Sequence, residues 1–132
     1  MKKILLGLLL IFGMAYAELI NVPISPKIVE SGIKIIDIRT KPEWQETGII
    51  KGSIPITFFD ERGKYDVPKF LEALNSKIKK GEKFAIVCRT GHRTGVVSKF
   101  LSQNGYNVVN LEGGIKGLLK QGYKLVKYED SK

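Results

Sequence analysis

Residues 84–95 read FAIVCRTGHRTG and contain the only cysteine of the 132-residue chain. The first four residues form a short apolar run, which is typical of a buried β-strand. The run ends at Cys88, and a polar loop with two arginines and a glycine follows it. Apolar residues return at helical spacing over residues 94–103, so the stretch predicts a strand, a tight loop and a helix.

The same alternation of strands and helices extends along the rest of the chain. β-branched or apolar runs predict strands at residues 33–38, 54–58, 83–87 and 106–111. Apolar residues at helical spacing, with proline near the start or glycine after the end of a segment, predict helices at residues 26–31, 41–45, 67–78 and about 115–120. The charged tail is expected to fray after Val126. This order of elements predicts an α/β fold of one domain, with a mostly parallel central sheet and helices on both faces.

The N-terminus has the composition of an export signal. A basic start, Met1-Lys2-Lys3, precedes an apolar run at residues 4–14 and the small-residue site Ala15-Tyr16-Ala17. This arrangement predicts a secretory signal peptide at residues 1–17, whose removal leaves a mature chain 18–132 in the periplasm. The run is short for a membrane span, so no membrane association is expected after cleavage. An uncleaved membrane anchor is the alternative interpretation.

The chain is basic, with 22 Lys and Arg against 13 Asp and Glu and a net charge of +9. Removal of Lys2 and Lys3 with the signal peptide lowers that charge to +7. A surface of this sign attracts anions. Because the lysines are scattered and the chain is predicted to be exported, the composition favours small anionic ligands over nucleic acid.

A lone thiol in an exported protein cannot form an internal disulfide, so it is either buried and inert or kept for its chemistry. The position of Cys88 at the end of a strand favours a chemical role for its thiol, because parallel α/β sheets bind ligands beyond the carboxyl ends of their strands. Gly91 permits a tight loop. The helix N-terminus, Arg89 and Arg93 favour the thiolate over the thiol, although either arginine can point outward. The loop therefore predicts a nucleophile that meets an anionic substrate.

Spacing within the loop distinguishes two kinds of cysteine site. Protein tyrosine phosphatases have five residues between the nucleophilic cysteine and an arginine, whereas residues 89–92 are the only ones between Cys88 and Arg93. The shorter loop makes a smaller cradle, which suits a sulfur atom better than a tetrahedral phosphoryl group.

Three further segments accompany the loop at Cys88: Asp37-x-Arg39, Glu43-Trp44 with residues 48–54, and GYNVVNLEGG at residues 105–114. Together with the loop, and in this order along the chain, they resemble segments of rhodanese-like sulfurtransferases. The resemblance covers about residues 24–122. The departures from the family pattern lie outside the loop, at Ile49, Pro55 and Leu118.

What this resemblance implies is a two-step transfer of a sulfane sulfur. Cys88 would attack thiosulfate or polysulfide, hold the sulfur as a persulfide, and pass it to a thiol or to cyanide. The residues implied for substrate binding are the rest of the loop: Arg89, Thr90, Gly91, His92, Arg93 and Thr94. No metal or organic cofactor is expected, since one histidine and one cysteine cannot make a zinc site. The sequence leaves open whether the protein forms a homodimer.

Individual side chains near the loop keep more than one interpretation. Arg93 either points into the cradle or braces it, and His92 is either exposed or in contact with substrate. The simplest roles for the others are helix capping for Thr94, bracing of a strand end for Asp37 and Arg39, and core packing for Trp44.

Two other functions remain open at this point. A sulfur-carrier or binding module would hold the persulfide for a partner enzyme and turn over poorly by itself. A cysteine-dependent phosphatase or arsenate reductase is a third hypothesis, which the short loop disfavours.

Overall fold

The computed structural model describes residues 17–130. Apart from Ala17, the predicted signal peptide lies outside the described residues. Across residues 17–130, no helix is long and apolar enough to cross a membrane.

Five strands form one sheet in which every paired neighbour is parallel. They are β1 (Leu19–Pro23), β2 (Ile35–Asp37), β3 (Ile54–Pro55), β4 (Phe84–Val87) and β5 (Val108–Glu112). Their order across the sheet is β1-β5-β4-β2-β3, so β4 lies at the centre. The predicted α/β fold with a mostly parallel sheet is confirmed.

The helices connect these strands and cover both faces of the sheet. They are α1 (Pro26–Val29), α2 (Lys41–Thr47), α3 (Val67–Asn75), α4 (His92–Gln103) and α5 (Gly114–Lys120). The alternation along β4 separates the two faces: Phe84 and Ile86 join the core that holds α3 and α4, whereas Ala85 and Val87 join the core that holds α1 and α5. A strand buried on both faces needs a continuous apolar sequence, which is what β4 has.

Most predicted elements differ from the observed ones by a few residues at their ends, and three differences have a clear physical reason. β1 was not predicted, because Asn21 and Pro23 interrupt its apolar pattern and only pairing with β5 makes it a strand. β3 is shorter than the predicted strand at residues 54–58: it ends at Pro55, although the N–H groups of Ile56 and Phe58 still donate to the Asp37 and Ile38 carbonyls at 2.9 and 3.2 Å. α4 begins at His92, two residues before its predicted start, because Gly91 is its N-cap.

The prediction that the chain frays after Val126 is wrong. Val126 pairs with Ile49 in an isolated antiparallel bridge. The Tyr128 ring packs against that of Trp44, with 5.3 Å between ring centroids, and Asp130 forms a 3.0 Å ion pair with Lys41. These contacts span most of the sequence, so the local composition of a charged tail could not reveal them.

Candidate active site

The catalytic candidate lies at the carboxyl end of the central strand. Cys88 follows β4 directly and continues its alternation, so its side chain faces the core beneath α3 and α4. The residue is only 1% exposed. Its backbone then turns within three residues into α4, whose N-cap Gly91 has a φ of +98°. Glycine adopts this left-handed conformation without strain, and other residues rarely do.

Two polar groups of the first turn of α4 contact the sulfur. The Gly91 N–H donates a hydrogen bond to Cys88 Sγ at 3.2 Å, and Thr94 Oγ1 lies 3.6 Å from the same atom. The Thr94 hydroxyl also donates to the Gly91 carbonyl at 3.2 Å. Helix α4 directs the positive end of its dipole at this point. The Gly91 N–H and the end of the helix therefore direct positive potential at the sulfur and at any atom bonded to it.

The structure assigns Thr94 a different place from the one expected. It is the third residue of α4 rather than the cap, and it is fully buried beside the sulfur. This proximity could not be predicted, because the predicted helix begins two residues later than the observed one. With His92 as the first helical residue, Thr94 turns back towards Cys88.

The turn between β5 and α5 supports the loop from the other side. The N–H groups of Ile115 and Lys116 donate to the carbonyls of Cys88 and Arg89, each at 2.9 Å. Gly114 has a φ of +61°, and a Cβ on it would lie 2.5 Å from the Arg89 oxygen and 2.6 Å from the Cys88 oxygen. Only glycine permits this approach, which explains the second glycine of the pair at residues 113–114.

A bidentate ion pair fixes the far side of the loop. Arg93 Nη1 and Nη2 donate to Glu43 Oε1 and Oε2, each at 2.8 Å. The two side chains are 27% and 18% exposed, respectively. Of the two interpretations of Arg93, the structure therefore supports bracing of the loop. Sequence reasoning used Glu43 only as part of a motif and missed its contact with Arg93.

The Glu43 carboxylate is itself held in place by the start of α2. Thr40, the N-cap, donates its backbone N–H and its hydroxyl to Glu43 Oε1 at 3.2 and 3.1 Å. The hydrogen bonds from Arg93, with smaller contributions from Thr40, lower the pKa of Glu43 from 4.5 to about 2. The Thr40-x-x-Glu43 spacing is a capping-box signature, which could have identified this carboxylate as fixed.

A buried ion pair anchors the strand that leads to Thr40. Arg39 and Asp37 are 1% and 0% exposed, and Arg39 Nε and Nη2 donate to the Asp37 carboxylate at 3.0 and 2.9 Å. Arg39 also donates to Thr47 Oγ1 and to the Gly48 carbonyl, so all of its main partners are local. Asp37 and Arg39 brace the end of β2, as expected, and Trp44 is buried in agreement with a packing role.

The remaining loop residues face outward. Arg89, Thr90 and His92 are exposed, and Gly91 is partly exposed. Three of them, Thr90, Gly91 and His92, line a cavity of about 390 Å³ that extends towards Glu112. Cys88 does not line it. The loop thus presents an exposed arginine and a histidine at its surface, with the sulfur enclosed beneath.

Comparison with known proteins identifies the family. The family model for the rhodanese-like domain matches residues 25–121. The "Putative sulfurtransferase YtwF" of Bacillus subtilis is 29% identical over 103 residues, covering 77% of this chain and 89% of that protein.

Two solved structures agree in fold. The rhodanese-like domain protein from Staphylococcus aureus has a TM-score of 0.55 at 28% identity, covering 76% of this chain and 89% of that one. The rhodanese-related protein from Thermoplasma volcanium has a TM-score of 0.60 at 27% identity, covering 79% of this chain and 96% of that one. With the family match extending from α1 to the end of α5, the chain belongs to the rhodanese-like domain family.

Proposed function

We propose that this protein is a sulfurtransferase that takes a sulfane sulfur from thiosulfate or polysulfide onto Cys88 and delivers it to a thiol or to cyanide. The observation that supports this most directly is the environment of Sγ. The Gly91 N–H donates to the sulfur at 3.2 Å, and Thr94 Oγ1 lies 3.6 Å away, at the N-terminus of α4. The relationship to a Bacillus subtilis protein named for this activity supports the same class of reaction.

The first half-reaction is a displacement at sulfur. The Cys88 thiolate attacks the outer sulfur of thiosulfate and forms a new S–S bond, while the bond between the two donor sulfurs breaks. That bonding pair leaves with sulfite, so Cys88 becomes an anionic persulfide. The helix N-terminus stabilises the negative charge, as preorganised donors stabilise an oxyanion.

The second half-reaction regenerates the thiolate. Cyanide or a thiolate attacks the terminal sulfur of the persulfide and forms thiocyanate or a new persulfide. The electron pair of the broken S–S bond returns to Cys88. No net oxidation or reduction of the protein occurs over the cycle.

A sulfur carrier is the second candidate function, and the enclosure of the sulfur favours it. At 1% exposure, Cys88 would shelter a persulfide from stray thiols in bulk solvent. Steady-state turnover with small donors and acceptors separates the two. Fast turnover supports the enzyme, whereas a stable adduct with negligible turnover supports the carrier.

Mass spectrometry of the intact mature protein tests the proposal. Incubation with thiosulfate or polysulfide should add the mass of one sulfur atom, and cyanide should remove it. Cys88→Ser is expected to abolish the addition. An adduct that persists in the serine variant, or no adduct on the wild type with any sulfane donor, refutes the assignment.

The proposal places this chemistry in the periplasm, with the mature chain starting at Glu18 after cleavage of the signal peptide. Cleavage there would leave β1 intact, because that strand begins at Leu19. The expected partners are small anionic donors, in keeping with a mature charge of +7. Amino-terminal sequencing of the protein recovered from a periplasmic extract should begin at Glu18; recovery with Met1 intact contradicts export by cleavage.

A further inference from the structure

One edge of the sheet carries a group of lysines that the sulfur chemistry does not use. Because every strand pair is parallel, all five strands begin at this edge and end at the opposite one, where Cys88 lies. The segments that lead into the strands are residues 17–18, 30–34, 48–53, 76–83 and 104–107. We call their exposed lysines the amino-edge lysines, and they are Lys34, Lys51, Lys77, Lys79, Lys80 and Lys83.

Contacts between these segments join the lysines into one surface. Lys34 Nζ donates to the Lys77 carbonyl at 3.0 Å and lies 3.4 Å from the Glu82 carboxylate. The same carboxylate accepts the Lys79 N–H at 2.9 Å. Lys34 and Lys51 also line one cavity together. The segments before β2, β3 and β4 therefore form a continuous face.

The positive charge of this face is only partly balanced. Its segments contain three glutamates, which are Glu18, Glu30 and Glu82. Glu82 pairs with Lys34, and Glu18 pairs with Lys83 at 3.1 Å. In the part of the chain that the structure describes, the other four amino-edge lysines are in no ion pair. Exposed cations grouped in this way attract a surface that carries many negative charges.

The apolar run of residues 4–14 joins the domain at the same face. Glu18 leads directly into β1, and its N–H donates to Asn107 Oδ1 at 2.9 Å, beside the start of β5. Only residues 15–17 separate the run from Glu18, and three residues reach at most about 11 Å. A membrane that holds the run, before cleavage or in its absence, therefore faces the amino-edge lysines and not the active loop.

We propose that the amino-edge lysines bind the anionic headgroups of a membrane surface and hold the domain with its active loop facing away. β4 separates the two edges of the sheet by four residues, or about 13 Å. An acidic protein would meet the same charges, but the entry of the apolar run at this face favours lipid. The inference goes beyond the proposed sulfur transfer and does not depend on it. It replaces the expectation of no membrane association after cleavage, since binding at a surface needs no spanning helix.

Sedimentation with phospholipid vesicles tests the charge of this face. The protein should bind vesicles of equal parts phosphatidylglycerol and phosphatidylcholine, and should leave them as salt rises above about 0.15 M. Lys77→Gln combined with Lys80→Gln should weaken binding about 20-fold, roughly fivefold for each lysine. The matched control is Lys64→Gln combined with Lys69→Gln, which removes the same charge near the amino-terminal end of α3, at the opposite edge. It should weaken binding less than about twofold, because charges beyond a Debye length from the lipid are screened.

Acetylation of lysine amines, followed by mass spectrometry of the peptides, tests the orientation. Vesicles should protect Lys79 and Lys80 several-fold and leave Lys64 and Lys69 at the rate found in the free protein. All variants are compared with the same N-terminus, so the apolar run does not contribute to the differences between them.

Three results overturn the inference: equal weakening by the two double variants, a reversed pattern of protection, and no binding of the wild type to anionic vesicles. Binding to poly-glutamate that depends on Lys77 and Lys80, without binding to vesicles, assigns the face to an acidic protein instead. Both double variants should form the Cys88 persulfide at the wild-type rate, since their substitutions lie outside the active loop. Failure of sulfur transfer and failure of lipid binding are therefore separate outcomes.

Discussion

The contact between Gly114 and the active loop provides a sharp test of how the site is built. Alanine at this position would require a left-handed backbone, which destabilises a non-glycine residue by about 1–2 kcal/mol. Its Cβ would also lie 2.5 Å from the Arg89 oxygen and 2.6 Å from the Cys88 oxygen. Ordinary van der Waals contact needs roughly an ångström more, so the loop and α5 would have to separate.

That separation removes two hydrogen bonds. The N–H groups of Ile115 and Lys116 now donate to the Cys88 and Arg89 carbonyls at 2.9 Å, and a shift of this size takes them beyond hydrogen-bonding distance. Each bond contributes about 1 kcal/mol. Gly114→Ala should therefore lower the free energy of unfolding by about 3–4 kcal/mol.

Gly122, beyond the other end of α5, is the matched control. It also has a positive φ, of +82°, but a Cβ there would meet no atom within 4 Å. Gly122→Ala should therefore destabilise the fold by only about 1–2 kcal/mol, the contribution of the backbone alone. Urea unfolding measures both values, and the rate at which iodoacetamide alkylates Cys88 reports the geometry of the loop.

Gly114→Ala should change the alkylation rate in conditions where the protein stays folded, and Gly122→Ala should not. If the two variants lose the same stability and alkylate at the wild-type rate, the turn after β5 does not support the loop, and the account of this glycine is wrong.

The other predictions concern the ion pair, the sulfur contact and the tail. Because the pKa of Glu43 is lowered to about 2, its contribution to stability is present above pH 4.5 and is lost as the pH falls towards 2. The full shift corresponds to about 3 kcal/mol, which solvent screening of a partly exposed pair reduces to about 1–2 kcal/mol. Urea unfolding at pH 7 and pH 3 should show a loss of stability that is smaller in Glu43→Gln than in the wild type by up to that amount, because other carboxylates with lowered pKa values, such as Asp60, lose stabilisation in both proteins. Thr94→Val removes the hydroxyl 3.6 Å from Sγ and should slow persulfide formation about tenfold in stopped-flow assays, whereas Ser98→Ala, one turn further along α4, should leave the rate unchanged. Tyr128→Ala removes a ring that packs 5.3 Å from Trp44 and should lower the free energy of unfolding by about 1–2 kcal/mol; an unaltered urea midpoint would mean that the tail does not contribute to the fold.

Screening decides how strongly the pair of Glu43 and Arg93 influences stability. Buried ion pairs lose strength to desolvation, and exposed pairs lose it to water and salt. This pair lies between those limits, with 18% and 27% of the side chains exposed. Its geometry is bidentate, so we expect its effect on the shape of the loop to exceed its effect on global stability.

The fold class and the position of Cys88 at the carboxyl end of a buried strand could be predicted, because their signals are local. A short apolar run such as residues 84–87 is typical of a strand inside a sheet that is covered on both faces. A cysteine placed directly after that run must lie at the carboxyl edge, whatever the details of packing. The signs of the charges in the loop likewise follow from composition alone.

Only the tertiary structure decided which loop groups contact the sulfur and which are engaged elsewhere. Arg93 and Glu43 are separated by 50 positions, and their pairing depends on the parallel alignment of β2 with β4. Tertiary packing likewise determines where α4 begins, how the start of α5 supports the loop, and that the C-terminal tail packs against Trp44. The physical reason is that local propensity fixes the type of each element, whereas contacts between distant residues depend on how the elements pack, which sequence spacing does not encode.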